Sequence, residues 1–151
     1  MSRVVRWAAA LTAAAIVMGA GYGLDAVASD ESELPPLGPG EVTIRLDVEH
    51  SLFDVTEIRV VEGTRVRFVV DNGDPIGHEL IVGPEAVHAR HRTGTHAQHP
   101  SIAGEVSVLP NQMGVTTFEF DEPGTVEFAC HLPGHYDHGM HGSIDVVPAT
   151  D

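Results

Sequence analysis

The sequence predicts an all-β domain, a sandwich or barrel of about eight short strands. Three observations carry that prediction. Apolar and polar residues alternate with period two through most of the chain after position 41, turn residues separate these segments at regular spacing, and one long polar stretch fits no strand.

In "VTIRLDV", Val42, Ile44, Leu46 and Val48 alternate with Thr43, Arg45 and Asp47, the pattern of a half-buried strand. The same alternation turns Ile58 and Val60 inward, then Val66, Phe68 and Val70 after a turn at Glu62-Gly63. Further strands are predicted over 78–82, 105–109, 115–120, 125–131 and 142–147, with "DNGDP" at 71–75 and "DEPG" at 121–124 among the turns between them. The exception is 84–104, "PEAVHARHRTGTHAQHPSIAG", which reads as an irregular insertion with a short helix over 85–91. Insertions of this length in a compact β domain usually carry function or move.

Ahead of the strands, residues 1–28 have the layout of an export signal. Arg3 and Arg6 precede the apolar run "WAAALTAAAIVMGAG", and "AVA" at 26–28 fits a cleavage site. The alternative is an uncleaved membrane tether through residues 7–24, a run that reaches the lower limit of about 18 residues for a membrane span. Either way the domain is expected outside the cytoplasm, periplasmic or extracellular. Residues 29–40, "SDESELPPLGPG", read as an acidic Pro/Gly linker, which leaves 41–148 as the folded domain.

A chain of 151 residues suffices for one full core and not for two. Acids outnumber bases 22 to 8, and the formal charge of -14 argues against nucleic acid or an anionic membrane surface as a partner. A monomer is expected.

The chain has one cysteine and ten histidines, nine of them at or after position 78. A lone cysteine forms no internal disulfide and is ordinarily a small buried hydrophobe. This one lies in "FACHLPGHYDHGM", residues 128–140, where strand phase puts Val126, Phe128 and Cys130 on the inward side and His131 on the other. The spacing Cys130-x4-His135-x4-Met140 collects a thiolate, an imidazole and a thioether on one loop. That soft set suits copper cycling between two oxidation states. Zinc is the competing metal, but structural zinc favours several cysteines and a thioether serves it poorly. A trigonal copper site needs a second histidine from another strand, and "GHELIVG" offers His78.

Taken together, "HELIVG", "CHLPGHYDHGMHG" and "IDVV" resemble the blue copper proteins, or cupredoxins, over about residues 41–147. The ligand-loop spacing is similar to that of rusticyanin and longer before the histidine than in plastocyanin. The resemblance implies an eight-stranded Greek-key sandwich holding one type 1 copper through His78, Cys130, His135 and Met140. It also implies tuning of the potential by the weak axial Met and the packing around sulfur. Many relatives carry Asn directly after the first histidine ligand, tying the two ligand loops together; Glu79 departs from that pattern and leaves the tie open.

The other histidines fill no ligand slot. In copper oxidases and nitrite reductases a histidine beside the copper cysteine binds a second copper, but the further ligands this needs are not identifiable here. His131 is therefore read as a solvent-facing strand residue, His138 and His141 as the rim of the site, and His50 as a surface residue. His88, His91, His96 and His99 form two H-x2-H pairs, a candidate secondary metal site whose first pair would share a helix face. The function expected is a one-electron carrier between redox partner proteins, exchanging through the His135 edge. The alternative is copper scavenging, delivery or resistance, with the His-rich insertion as a collecting arm. An enzyme is not expected, because neither a second site nor an open metal position is visible.

Overall fold

The alternation builds two mixed sheets. The computed structural model describes residues 35–94 and 100–150. The first sheet contains β1 (Gly40–Glu49), β2 (Leu52–Phe53), β4 (Thr64–Asn72) and β7 (Met113–Phe120), in the order β2-β1-β4-β7. The second contains β3 (Glu57–Val61), β5 (His78–Gly83), β6 (Glu105–Val108), β8 (Gly124–Ala129) and β9 (His141–Val147), in the order β3-β9-β8-β5-β6. From β2 to β5 the chain changes sheet at every connection. Several pairs therefore join strands distant in sequence, and of these β1 with β4 and β3 with β9 run parallel.

The inward residues of the predicted strands form one shared core. Leu46, Val48, Val66, Phe68 and Val70 of the first sheet meet Val60, Leu80, Val82, Phe128, Ile144 and Val146 of the second. Strand β5 is buried at all six positions because it lies between β6 and β8 and is covered on its outer side. The cover is α1 (Glu85–Arg92), the helix expected at the start of the insertion, whose His88 is fully buried. The polar insertion thus closes the second face of the strand that begins with His78.

Three expectations change. Strand β8 stops at Ala129 rather than at 131, because the Cys130 amide turns to the carbonyl of Met140 at 3.0 Å and the chain leaves the sheet. The segment read as a linker over 29–40 is tied down from Leu37 onward. The Leu37 amide donates to Arg59 O at 2.9 Å, and its carbonyl accepts from the Val61 amide at 2.8 Å. The two-residue β2 was too short to leave an alternation. The export signal or tether lies outside the described residues, as do His96 and His99. No helix among the described residues is long and apolar enough to cross a membrane.

Gly142, paired with Phe128 in the β8–β9 ladder, shows how tightly the strand leading to Cys130 is packed. A Cβ there would run into the Phe128 ring and the Thr56 carbonyl. Gly142→Ala should therefore destabilise the domain by about 1–3 kcal/mol, the usual cost of overpacking. Chemical denaturation of the metal-free protein measures it as a lower midpoint at unchanged slope.

Candidate metal centre

Four residues expected at the site arrive from three places. His78 opens β5, Cys130 directly follows β8, and His135 opens the single turn α2 (His135–His138), which Met140 follows just before β9. The ladders place them. Ile81 of β5 pairs with Ala129, and Ala129 pairs with His141, so the strand carrying His78 and the strand following Met140 flank the one that ends at Cys130. Between Cys130 and Met140 the backbone closes on itself. The His135 amide donates to Leu132 O, the Met140 amide to His135 O and the Cys130 amide to Met140 O, each at 3.0 Å. Gly134 and Gly139, at φ 82° and 106°, supply the left-handed corners that start and stop α2.

The side chains converge. His78 Nδ1 lies 3.2 Å from His135 Nδ1, which lies 3.3 Å from Cys130 Sγ. The three donor atoms fall within 4.8 Å of one another, close enough for one ion to touch all of them. Met140 is fully buried, as is Cys130, whereas His135 is partly exposed. Two nitrogen donors and a thiol with a thioether beside them fit copper better than any hard cation.

The electrostatics prepare the donors differently. Burial lowers the pKa of His78 against the opposing pull of Asp74. Burial, then the neighbouring His78 and His138, lowers that of His135. Both imidazoles are therefore neutral, with lone pairs available, at neutral pH. Burial pushes the Cys130 thiol up to about 12, although the Glu79 and Leu132 amides donate toward its sulfur. Asp74 accepts from His78 Nε2 at 2.9 Å, which puts the proton on Nε2 and leaves Nδ1 to face the other donors. Burial would raise the Asp74 pKa, but the Ser51 and His50 amides and the His78 imidazole outweigh it and hold it low.

Glu79 replaces the expected tie rather than abolishing it. Its carboxylate Oε1 accepts from the His131 amide at 2.9 Å, linking the His78 strand to the Cys130 loop. The reading of His131 as a solvent-facing residue is corrected, because its ring packs under α1. His88 Nε2 donates to Glu127 O at 3.2 Å, so His88 Nδ1 accepts from His131 Nε2 at 2.8 Å. His131 Nδ1 is left buried without a protein partner. Burial first, then His88, lowers the His131 pKa to about 4. Its ring stacks on Tyr136 at 5.4 Å, and Tyr136 stacks on the exposed His141 at 4.5 Å. The two histidines of the helix pair have different partners: His88 bonds to His131, while His91 Nε2 meets Glu105 Oε2 at 2.8 Å. Among the described residues, His78, Cys130 and His135 are the one His/Cys/Asp/Glu group gathered closely enough for a metal. Sequence reasoning missed Asp74, whose only signal is its place four residues before His78, and Glu127, which carries no signal at all.

Because both imidazoles are neutral and the thiol is protonated at pH 7, Cu(I) uptake should release about one proton, with affinity rising about tenfold per pH unit from 7 to 9. Below the ordinary histidine range imidazole protonation competes as well, and the fall should steepen. Competition with a chelator at several pH values measures the slope. A flat dependence would mean that the thiol is already ionised.

The family model for copper binding proteins of the plastocyanin/azurin family matches residues 40–147. The chain is 32% identical over 125 residues to the copper-resistant cuproprotein CopI of Rubrivivax gelatinosus, covering 77% of this chain and 76% of that one. It is 28% identical over 175 residues to the copper-resistant cuproprotein CopI of Pseudomonas aeruginosa, at 91% and 97% coverage. Among solved structures it is similar to the reduced auracyanin of Roseiflexus castenholzii, with a TM-score of 0.59, 26% identity and 70% and 97% coverage. Auracyanin A of Chloroflexus aurantiacus, a blue copper protein, gives a TM-score of 0.56 at 28% identity, with 71% and 99% coverage. With two sheets of this topology and a Cys-His-His donor set around a buried thiol beside a methionine, the chain belongs to the copper-binding plastocyanin/azurin family, the cupredoxins.

Proposed function

We propose that this protein is an exported copper-resistance cupredoxin that holds one copper through His78, Cys130, His135 and Met140. The observation that carries the reading is the convergence of three donor atoms within 4.8 Å around a buried thiol, on a loop closed by its own backbone. A site held by strand ladders and by its loop's own hydrogen bonds loses little conformational entropy on binding. Copper bound there would supply one-electron chemistry between its two oxidation states. The rest belongs to the chain: Cys130 and Met140 keep their sulfurs from solvent, and the His78 tautomer is set in advance. The ligand set alone ranks an electron carrier first. Two relatives described as copper-resistant cuproproteins reverse that order. Copper handling in this reading rests on the centre and not on α1, whose histidines already have partners.

The carrier reading keeps one observation in its favour. His135 is partly exposed, and the large apolar side chains of Leu52, Ile76 and Leu109 are exposed close by. Leu52 lies against Gly139, and the Ile76 and Leu109 carbonyls both accept from Asn72, which neighbours the His78 turn. An apolar rim of this kind lets a protein partner approach the His135 edge.

Growth of a strain lacking the gene, in medium with added copper, tests both. The unsubstituted gene should restore growth and Cys130→Ser should not, and the Cys130→Ser protein loaded with Cu(II) should lack the intense visible thiolate-to-copper band. Equal protection by Cys130→Ser overturns the assignment. Ile76→Asp with Leu109→Asp separates the two readings: protection persists if the protein acts by holding copper and is lost if it acts by passing electrons to a docked partner.

A further inference from the structure

Asp74 is built into the centre more firmly than a hydrogen-bond acceptor needs to be. It lies four residues before His78, and its side chain is 13% exposed. Its Oδ1 accepts from the His50 amide at 2.8 Å, and its Oδ2 from the Ser51 amide at 2.7 Å and from His78 Nε2 at 2.9 Å. His50 and Ser51 are consecutive residues at φ 56° and 58°, a left-handed conformation that side-chain-bearing residues rarely adopt. That geometry aims two successive amides at one carboxylate, as in an anion-binding nest. The Asp74 backbone is fastened too. Its amide donates to Asn72 Oδ1 at 3.0 Å, and its carbonyl accepts from the Asn111 amide at 3.1 Å.

A carboxylate receiving three N–H donors is an acceptor only, and its full negative charge therefore stands directly behind the His78 ring. A peptide carbonyl in the same place would orient the ring equally well without that charge. The charge raises the donor strength of Nδ1 and favours the more positive of two metal oxidation states.

We propose that Asp74 is a positioning residue that lowers the reduction potential of the copper centre by acting through His78. The proposal rests on the reading of His78 as a copper ligand. Asp74→Asn keeps the shape and one acceptor oxygen and removes the charge, while one of the two amides of the 50–51 turn loses its acceptor. In the copper-loaded full chain it should retain the visible thiolate band. Its Cu(I) to Cu(II) affinity ratio should rise about tenfold, which is ~59 mV in a one-electron potential. Glu119→Gln removes an equal charge at the end of the β4–β7 pair away from His78, where Glu119 pairs with Arg65, and should leave the potential in place. An unchanged potential in Asp74→Asn, or an equal rise in both variants, overturns the proposal. If Asp74→Asn does not fold, the unsubstituted Cu(I) protein decides. Nitrogen-15 resonances of His78 should show a protonated, slowly exchanging Nε2, and an unprotonated Nε2 overturns the proposal. The underlying reading fails separately, if His78→Ala keeps the thiolate band unaltered.

Discussion

The burial of one thiol at the end of β8 is the constraint on which the rest of the structure turns. Cys130 is inaccessible to solvent, and its sulfur faces the Glu79 and Leu132 amides in a wall of apolar side chains. Its position follows from registers that cannot slip. Moving β8 by one residue against β5 or β9 would turn Phe128 and Cys130 out of the core together. The same ladders carry His78 on one neighbouring strand and bring the chain back from Met140 on the other. The donor set therefore inherits the rigidity of a packed sandwich. A loop alone would have to lose conformational entropy each time it closed on a metal.

Around that thiol the chain uses acids where a purely structural core would use apolar residues. Asp74 stands behind His78, and Glu79 bridges from β5 to the amide of His131. Buried carboxylates persist only when N–H donors surround them, and each has amide or imidazole donors supplied by a turn or a neighbouring loop. Their placement is asymmetric in effect. One charge acts through an imidazole ring, while the other raises the cost of ionising the free thiol without the metal. The metal thus neutralises a site whose surroundings are arranged for a cation.

The His-rich insertion takes on a different meaning once its helix is seen against the sheet. Helix α1 covers the outer face of β5, and the contact is polar. Arg90 and His91 meet Glu105, and His91 Nδ1 lies 3.5 Å from Glu79. His88 and His131 share one hydrogen bond in a short chain that ends on the Glu127 carbonyl. Histidine serves here because a ring such as His88 can accept at one nitrogen and donate at the other, and so relays a hydrogen bond from the loop to the sheet. The network links the insertion to the residue next to Cys130.

Much of this was legible in the sequence because it depends on local periodicity and short spacings. Alternation at 42–48, 66–70 and 142–147 marks strands in any context, and inward parity at Phe128 continues to Cys130 even though the strand stops at Ala129. The spacing from Cys130 to His135 and Met140 lies within one loop, so the loop's metal chemistry could be read from it. His78 was found because a soft site lacked a donor and one strand began with a histidine. Pairings between distant segments were beyond reach. The turn at 50–51 contributes amides rather than side chains, so nothing in the letters His50 and Ser51 points to Asp74. The partners of His88, His91 and His131 come from β5, β6 and β8, whose order in the sheet no single-strand pattern encodes. Sequence decides which side of its own strand a residue occupies, whereas only the packed sheets decide which hydrogen-bonding group waits on that side.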